Sequence, residues 1–127
     1  MKLESVAIKG VDVLKLKPVI QGNVLDTTEL LVQVFENRTK ASTADLAYST
    51  HAYLARGLAS LAINSAAENC VQLVGFTGGA ACNQILAKLI REAVESAGLR
   101  FFVHEAVPSG DGGVSFGQAA VGGFYDS

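Results

Sequence analysis

Cysteine is scarce in this sequence, with two among 127 residues, and neither Cys70 nor Cys82 belongs to a Cys-x-x-Cys pair. Both fall in apolar patterns, one in a predicted strand and one on the apolar face of a predicted helix, so we expect two buried free thiols. A disulfide would not suit a reducing compartment, and a zinc site would need more ligands grouped together. The small number of cysteines therefore argues against both a disulfide and a zinc site.

Long apolar runs and clusters of basic residues are also missing. Gly, Ser or Asn interrupts every apolar run well before the roughly 20 residues of a membrane span. The first ten residues, MKLESVAIKG, lack an apolar signal core. The net charge is -2 without a Lys/Arg cluster, which argues against binding nucleic acid through its phosphates. We therefore expect a cytoplasmic protein that binds neither a membrane nor nucleic acid.

What the chain does have is the composition of a folded domain. Apolar residues make up 50% of it and charged residues 17%. A chain of 127 residues is long enough to bury a core, so we expect a single domain over 1–127.

The first half of the chain predicts strand structure followed by two helices. Apolar and polar residues alternate over 11–25, with an interruption at Pro18, which predicts an edge strand or a strand pair. The capping signal DTTE (26–29) begins a helix that ends near Asn37. The signal STAD (42–45) begins a longer helix that ends near Asn69.

The second half predicts strands that alternate with helices. The apolar run CVQLVGF (70–76) predicts an interior strand covered on both faces, and RFFVH (100–104) predicts a second strand. Helical spacing from Cys82 onward predicts a helix that Gly98 ends, and a helix of small residues follows from Val114. This alternation predicts an α/β fold with a parallel strand pair joined by a right-handed crossover.

A pair of glycines stands between the first of these strands and its helix. In LVGFTGGAACNQIL (73–86), Gly78 and Gly79 would let the backbone approach a ligand, and the following helix start would favour an anion. The Asn83 amide, one turn later, could contact a base, ribose or phosphate. The segment matches neither common phosphate fingerprint, so on its own it favours a purely structural turn.

A second glycine-rich turn follows the other strand. In PSGDGG (108–113), Asp111 could cap the last helix or expose a carboxylate to a divalent metal, with the glycines leaving room for phosphates. If the two strands are parallel neighbours, both turns lie at the carboxyl edge of the sheet, where α/β proteins bind ligands. Together, the two turns favour a ligand site.

The two histidines lie far apart in the sequence. His51 shares a helical face with Ala47 and Leu54, so we expect it to be packed in the interior or at an interface. His104 ends the second strand, close to the expected site, and the roles of both histidines stay open.

The segments GFTGGAACNQIL (75–86) and FFVHEAVPSGDGGVSFGQA (101–119) resemble the C-terminal end of the HypF-type hydrogenase-maturation carbamoyltransferases. That family carries Gly-Gly-x-x-x-Asn, and later a Pro followed by Asp-Gly-Gly and Gly-Gln, at a spacing that also fits. The helix DLAYSTHAYLARGLASLA (45–62) is similar to the family's histidine-bearing helix. The resemblance extends over residues 26–123.

The resemblance implies a fold and a function. The family's C-terminal module is similar to the Kae1/TsaD proteins, with an actin-like ATPase (ribonuclease-H-like) architecture in two halves. This chain would be the second half, a small mixed or parallel sheet with packed helices. The whole module would pass the carbamoyl group of a carbamoyl-adenylate, made from carbamoyl phosphate and ATP, to a C-terminal cysteine of a HypE-type partner. That group would become the cyanide ligand of nickel–iron hydrogenases.

The resemblance also implies ligand contacts, residue by residue. Asp111 matches the family's metal-ligand aspartate. The positions that match the nucleotide-binding residues are Gly78, Gly79, Asn83, Gly112 and Gly113. The implied cofactors are ATP, as carbamoyl-adenylate, and a divalent metal whose identity stays open. We assign no catalytic residue, because nothing in this chain offers a nucleophile, a base and an orienting group together.

The chain departs from the family in two ways. Thr77 stands where the family commonly has Ser, and Ala80-Ala81-Cys82 replaces a bulkier Val-Phe-Gln. The chain also lacks the His-x-x-x-His metal ligands and the phosphate loop of the first half, an acylphosphatase-like domain and a zinc-finger region. We therefore expect a fragment of a larger protein whose N-terminal half is missing, and which by itself binds ATP weakly and is inactive.

Two alternatives stay open. A Kae1/TsaD-type threonylcarbamoyl transferase would share the nucleotide site, and Ala81-x-Asn83 leans toward it, but Asp-Gly-Gly and the lack of a basic surface favour the HypF type. A non-catalytic actin-like half could instead form a homodimer through the small-residue faces of its last helices.

Overall fold

The computed structural model describes residues 2–125, which form five α-helices, one short 3-10 helix and two small sheets. In chain order the elements are α1 (Lys2–Ala7), β1 (Val19–Gln21), β2 (Val24–Asp26), α2 (Thr28–Asn37), α3 (Thr43–Glu68), β3 (Leu73–Phe76), the 3-10 helix (Gly79–Cys82), α4 (Gln84–Ser96), β4 (Arg100–Val103) and α5 (Gly112–Tyr125). One antiparallel and one parallel strand pair, packed with helices, confirm the expected small mixed α/β fold.

β3 and β4 form the parallel pair that the sequence pattern predicts. Leu73 lies opposite Arg100 and Phe76 opposite Val103, and α4 connects the two strands. Side chains from α3, α4 and β4 meet in the core beside this sheet. Its buried members are Ala55, Ala59, Leu86, Ile90, Val94 and Phe101.

The prediction that 70–76 is an interior strand covered on both faces is wrong. β3 begins only at Leu73, which is 45% exposed, whereas Val74 and Phe76 pack against the core. Among the residues that the structure describes, β3 pairs with β4 alone. The second face of the strand therefore lies at the surface of this chain, although its sequence is apolar throughout.

α3 is the longest helix, and the predicted cap begins it. Ser42 Oγ accepts a hydrogen bond from the Asp45 N–H at 3.1 Å and donates to the Asp45 carboxylate at 2.7 Å. This reciprocal pair satisfies an N–H group that a helix start would otherwise leave unpaired. α1, α2, α4 and the β1–β2 hairpin all pack on α3, which makes it the centre of the fold.

The helix after the glycine pair begins later than its apolar spacing predicts. Gly98, at a φ of +80°, follows the end of α4 as expected, but Cys82 belongs to the separate 3-10 helix. Cys82 is exposed, and so is Cys70, which lies in the turn before β3 at a φ of +54°. The prediction of two buried thiols is therefore wrong, because neither cysteine lies on a face that packs in the core.

Residues 11–18 do not form the strand that their alternation suggests, and the predicted strand pair is confined to the β1–β2 hairpin. The segment runs along α3. The Val11 N–H donates to Asp45 Oδ1 at 2.9 Å, and the Val13 N–H donates to Ser49 Oγ at 3.0 Å. Burial alternates along this segment because the segment lies on α3, whose side chains accept hydrogen bonds from the backbone of the segment.

The predicted helix of small residues is α5, which begins at Gly112. Several of its large apolar side chains are exposed, including Phe116 at 62% and Phe124 at 83%. Over residues 2–125, no helix combines the length and the apolarity needed to cross a membrane.

Replacing Ser49 by alanine should loosen the segment 11–18. The buried Ser49 hydroxyl accepts from the N–H groups of both Val13 and Leu14, so we expect the free energy of unfolding in urea to fall by about 1–3 kcal/mol. In the matched control Ser60→Ala, only a bond to a carbonyl of the same helix is lost. Equal losses in the two variants would contradict this anchoring role.

The Asp45 carboxylate should make stability sensitive to acid. The Ser42 hydroxyl and then the Val11 N–H hold the pKa of Asp45 below its ordinary value of 3.8. Because the folded pKa is the lower one, the stabilisation is present above the unfolded pKa and is lost as pH falls through the folded pKa. We expect Asp45→Asn to flatten part of the dependence of the unfolding midpoint on pH below about 4. The rest of this pH dependence should remain, because hydrogen bonds from Thr28 also lower the pKa of the Asp26 carboxylate. If the unfolding midpoint of Asp45→Asn depended on pH as steeply as that of the wild type, Asp45 would not be the source of the acid sensitivity.

Candidate functional site

The candidate site lies where β3 and β4 end. The residues that follow the two strands, Thr77 and His104, are hydrogen bonded through their side chains, with 2.8 Å between Thr77 Oγ1 and His104 Nε2. Because the strands are parallel, the chain leaves both of them at the same edge of the sheet. The structure thus brings the two glycine turns to one edge, as the sequence predicts.

The first turn presents backbone without side chains at its first two residues, Gly78 and Gly79. Gly78 has a φ of +87° and a ψ of 179°, a conformation that is essentially restricted to glycine. A Cβ atom added at Gly78 or Gly79 would meet no other atom within 4 Å, so the space beside both residues is open. Backbone conformation therefore explains the glycine at 78, whereas the one at 79 is consistent with room for a ligand.

Asn83 closes this turn and begins α4. Its side chain is 3% exposed, and Oδ1 accepts from the Leu86 N–H at 3.0 Å as the helix cap, while the amide group meets His51 Nε2 at 2.9 Å. The side chain thus faces α3 and α4, and a contact between Asn83 and a nucleotide stays a prediction. His51, at 4% exposed, is the packed histidine that its helical face predicts.

The second turn supplies one exposed carboxylate. Asp111 immediately precedes α5, and its side chain has no hydrogen bond or ion pair within the described part of the chain. The two glycines after it differ. A Cβ atom at Gly113 would collide with the Pro108 carbonyl oxygen, whereas one at Gly112 would make an ordinary contact with the Pro108 side chain. Close packing therefore explains Gly113, and the Asp111 carboxylate is left available to a ligand.

A cleft of about 410 Å³ lies at this sheet edge, between the ends of the two strands and the start of α5. Its lining includes the Thr77–His104 pair, Ser109 and the first turn of α5. Of the site residues predicted from sequence, Gly113 lines the cleft itself. The two turns also touch, because Cys82 Sγ and Ser109 Oγ are 3.4 Å apart.

The described residues do not complete a metal site. Over 2–125, no group of three or more His, Cys, Asp or Glu side chains is arranged to hold an ion. Asp111 offers a single carboxylate, whereas hard divalent cations take about six oxygen ligands. The residues present therefore do not fit a resident metal by themselves.

Sequence reasoning assigned no role in the site to Thr77 or Ser109, and it placed His104 only near the site. The signal that could have found them is position, since Thr77 and His104 are the first residues after parallel strands. Ser109 lies in the same glycine-rich turn as Asp111.

Known proteins match this chain in sequence. A family model described as the carbamoyltransferase, Kae1-like domain, second subdomain, matches residues 1–118. The probable carbamoyltransferase HypF of Methanocaldococcus jannaschii is 34% identical over 122 residues, which cover 93% of this chain and 16% of that protein. The carbamoyltransferase HypF of Rhizobium leguminosarum bv. viciae is 32% identical over 80% of this chain and 13% of its own length.

Solved structures match it in fold. The crystal structure of T. kodakarensis HypF superposes with a TM-score of 0.85 and 42% sequence identity, over 98% of this chain and 16% of that one. A full-length HypF in the phosphate- and nucleotide-bound form shares the fold, with a TM-score of 0.81 and 23% identity over 95% of this chain. The resemblance inferred from the two glycine-rich segments is confirmed: the chain belongs to the HypF carbamoyltransferase family, in which it corresponds to the second subdomain of the Kae1-like domain.

Proposed function

We propose that this chain forms one wall of the nucleotide cleft of a HypF-type carbamoyltransferase. The observation that carries the proposal is the meeting of two turns at one sheet edge, one with open backbone at Gly79 and one with the exposed Asp111 carboxylate. Its relatives are named carbamoyltransferases, and this chain spans 16% of the length of the M. jannaschii protein. The opposite wall would come from the remainder of such a protein.

The ligand that suits this wall is an adenine nucleotide, as ATP or carbamoyl-adenylate. Glycine backbone allows phosphate oxygens to approach its N–H groups closely. In the first turn, Gly78 would allow the backbone conformation, Gly79 would leave space for the phosphates, and Asn83 would fix the end of the turn. In the second turn, Gly112 and Gly113 would allow the chain to lie beside the first. A protein of the same fold has been solved in a phosphate- and nucleotide-bound form, which supports this ligand class.

Asp111 would supply one oxygen ligand to a divalent cation beside the phosphates, with the other ligands on the opposite wall. The chain's own contribution to the reaction would then be binding and electrostatic stabilisation of phosphate charge. The acceptor of the carbamoyl group would be the C-terminal cysteine of a HypE-type protein. On that protein the group would become the cyanide ligand of nickel–iron hydrogenases.

A homodimer of this chain is the second candidate, and the exposed apolar side chains of α5 favour it. The same surface would serve equally to pack against the rest of a longer protein. The family match favours the HypF type over a Kae1/TsaD-type threonylcarbamoyl transferase.

Alanine at position 79 should separate ligand binding from stability. The added methyl group meets no atom of the chain but fills the space proposed for phosphate, so we expect an unchanged unfolding midpoint and about tenfold weaker ATP binding in a titration with Mg²⁺. In the comparison variant Gly78→Ala, the strained φ should also lower stability, by about 1–3 kcal/mol. Wild-type affinity in Gly79→Ala would contradict the proposed phosphate position.

The function can be tested in a chimera in which this chain replaces the matching segment of T. kodakarensis HypF, to which it is 42% identical. We expect the chimera to transfer carbamoyl groups from carbamoyl phosphate to a HypE-type acceptor in the presence of ATP. Because a carboxylate beside the phosphates is lost, Asp111→Asn should lower this rate by about 100-fold.

The matched control is Glu105→Gln, which removes another exposed carboxylate from the segment between β4 and α5 and should leave the rate unchanged. A folded chimera that transfers nothing would overturn the proposed function. A chimera whose Asp111→Asn variant keeps full activity would overturn the role of Asp111 alone.

A further inference from the structure

A buried polar pair lies directly behind the first glycine turn. His51 belongs to α3 and Asn83 precedes α4, and they are 4% and 3% exposed. The Asn83 amide nitrogen and His51 Nε2 are 2.9 Å apart. Burying two polar side chains is unfavourable unless their hydrogen bonds are satisfied, and here all of them find partners within the chain.

The partners of this pair allow only one arrangement of protons. The Leu86 N–H can only donate, so the Asn83 atom facing it is the oxygen, at 3.0 Å, and the amide N–H group points to His51. The Ala47 carbonyl can only accept, so His51 Nδ1, at 2.7 Å from it, carries the ring proton. His51 Nε2 is then the acceptor for Asn83, which requires a neutral ring protonated on Nδ1.

The pair fixes a turn that has little else behind it. No residue of the 3-10 helix Gly79–Cys82 is buried, so packing in the core contributes little to holding that turn in place. Asn83 ends the turn by donating its N–H to the Ala80 carbonyl at 3.0 Å, and it begins α4 as the cap. The His51 bond therefore connects the turn to α3, the central helix of the fold.

We propose that His51, as the neutral Nδ1-protonated tautomer, is the positioning residue for the turn that holds Gly78 and Gly79. It acts on a ligand only through Asn83. The consequence for nucleotide binding rests on the function proposed above, whereas the tautomer and the link to the turn do not.

Two isosteric variants separate the bonds of the ring. In His51→Gln, the side-chain oxygen can occupy the place of Nε2 and accept from Asn83. In His51→Asn, the shorter amide can donate to the Ala47 carbonyl but cannot reach Asn83. If His51 only filled space, the two substitutions would affect the turn to the same extent.

The first measurement is nuclear magnetic resonance on the 127-residue chain labelled with ¹⁵N, without nucleotide. Long-range ¹H–¹⁵N spectra should show His51 protonated on Nδ1 and an unprotonated Nε2. Amide signals of residues 78–83 should stay close to wild type in His51→Gln and shift or broaden in His51→Asn. A proton on Nε2, or unmoved amides in His51→Asn, would overturn the proposal.

The second measurement is ATP binding by the chimera carrying each variant. We expect about tenfold weaker binding in His51→Asn and recovery toward wild type in His51→Gln, since the first leaves a buried amide unpaired. Wild-type affinity in His51→Asn would overturn the positioning role while leaving the proposed function intact. Failure of the unmodified chimera to bind ATP would instead overturn the proposed function, and the spectra would still decide the structural link.

Discussion

β3 and β4 pair in parallel, with Leu73 opposite Arg100 and Phe76 opposite Val103, and this pairing determines where the site lies. In an antiparallel pair the chain would leave the two strands at opposite ends, and the glycine turns would be separated. The parallel register instead places Thr77 beside His104, close enough for a hydrogen bond. A shift of one residue would turn the side chains of one strand to the other face and break that contact. The geometry of the candidate site therefore depends on a ladder of four residue pairs.

One short stretch of α3 connects this edge to the rest of the molecule. Ser49, His51 and Tyr53 are all buried, and each binds a different neighbour. Ser49 accepts from the backbone of the 11–18 segment, His51 meets Asn83, and the Tyr53 hydroxyl accepts from Val19 N–H and donates to the Asp26 carbonyl of the hairpin. Polar groups at every second position of this stretch thus orient three surrounding segments, and apolar packing on the same helix supplies the core.

Features governed by local chemistry could be predicted from the sequence, such as the cap at Ser42, the end of α4 at Gly98 and the order of β3, α4 and β4. Features governed by distant partners could not. The segment 11–18 alternates like a strand, but its hydrogen bonds go to side chains of a helix more than thirty residues away. The exposure of Cys82 has the same kind of cause, because its apolar spacing continues that of α4 although the 3-10 helix turns it out of the core. The sequence pattern does not indicate helix α1 either, because six residues are too few to show a helical periodicity.

For the candidate site, the sequence predicted that two glycine turns meet at one sheet edge, but it could not separate the reasons for their individual residues. Gly78 is required by a backbone angle and Gly113 by the Pro108 carbonyl, and either would be needed in a protein that binds nothing. The Asn83 side chain already makes hydrogen bonds within the chain, as the cap of α4 and with His51. Gly79 and Asp111 differ from these, because neither packing nor hydrogen bonding within the described residues accounts for their identity. A motif match weighs all of these positions equally, whereas the function proposed for this chain rests most on Gly79, beside which space is open, and on Asp111, whose carboxylate is exposed.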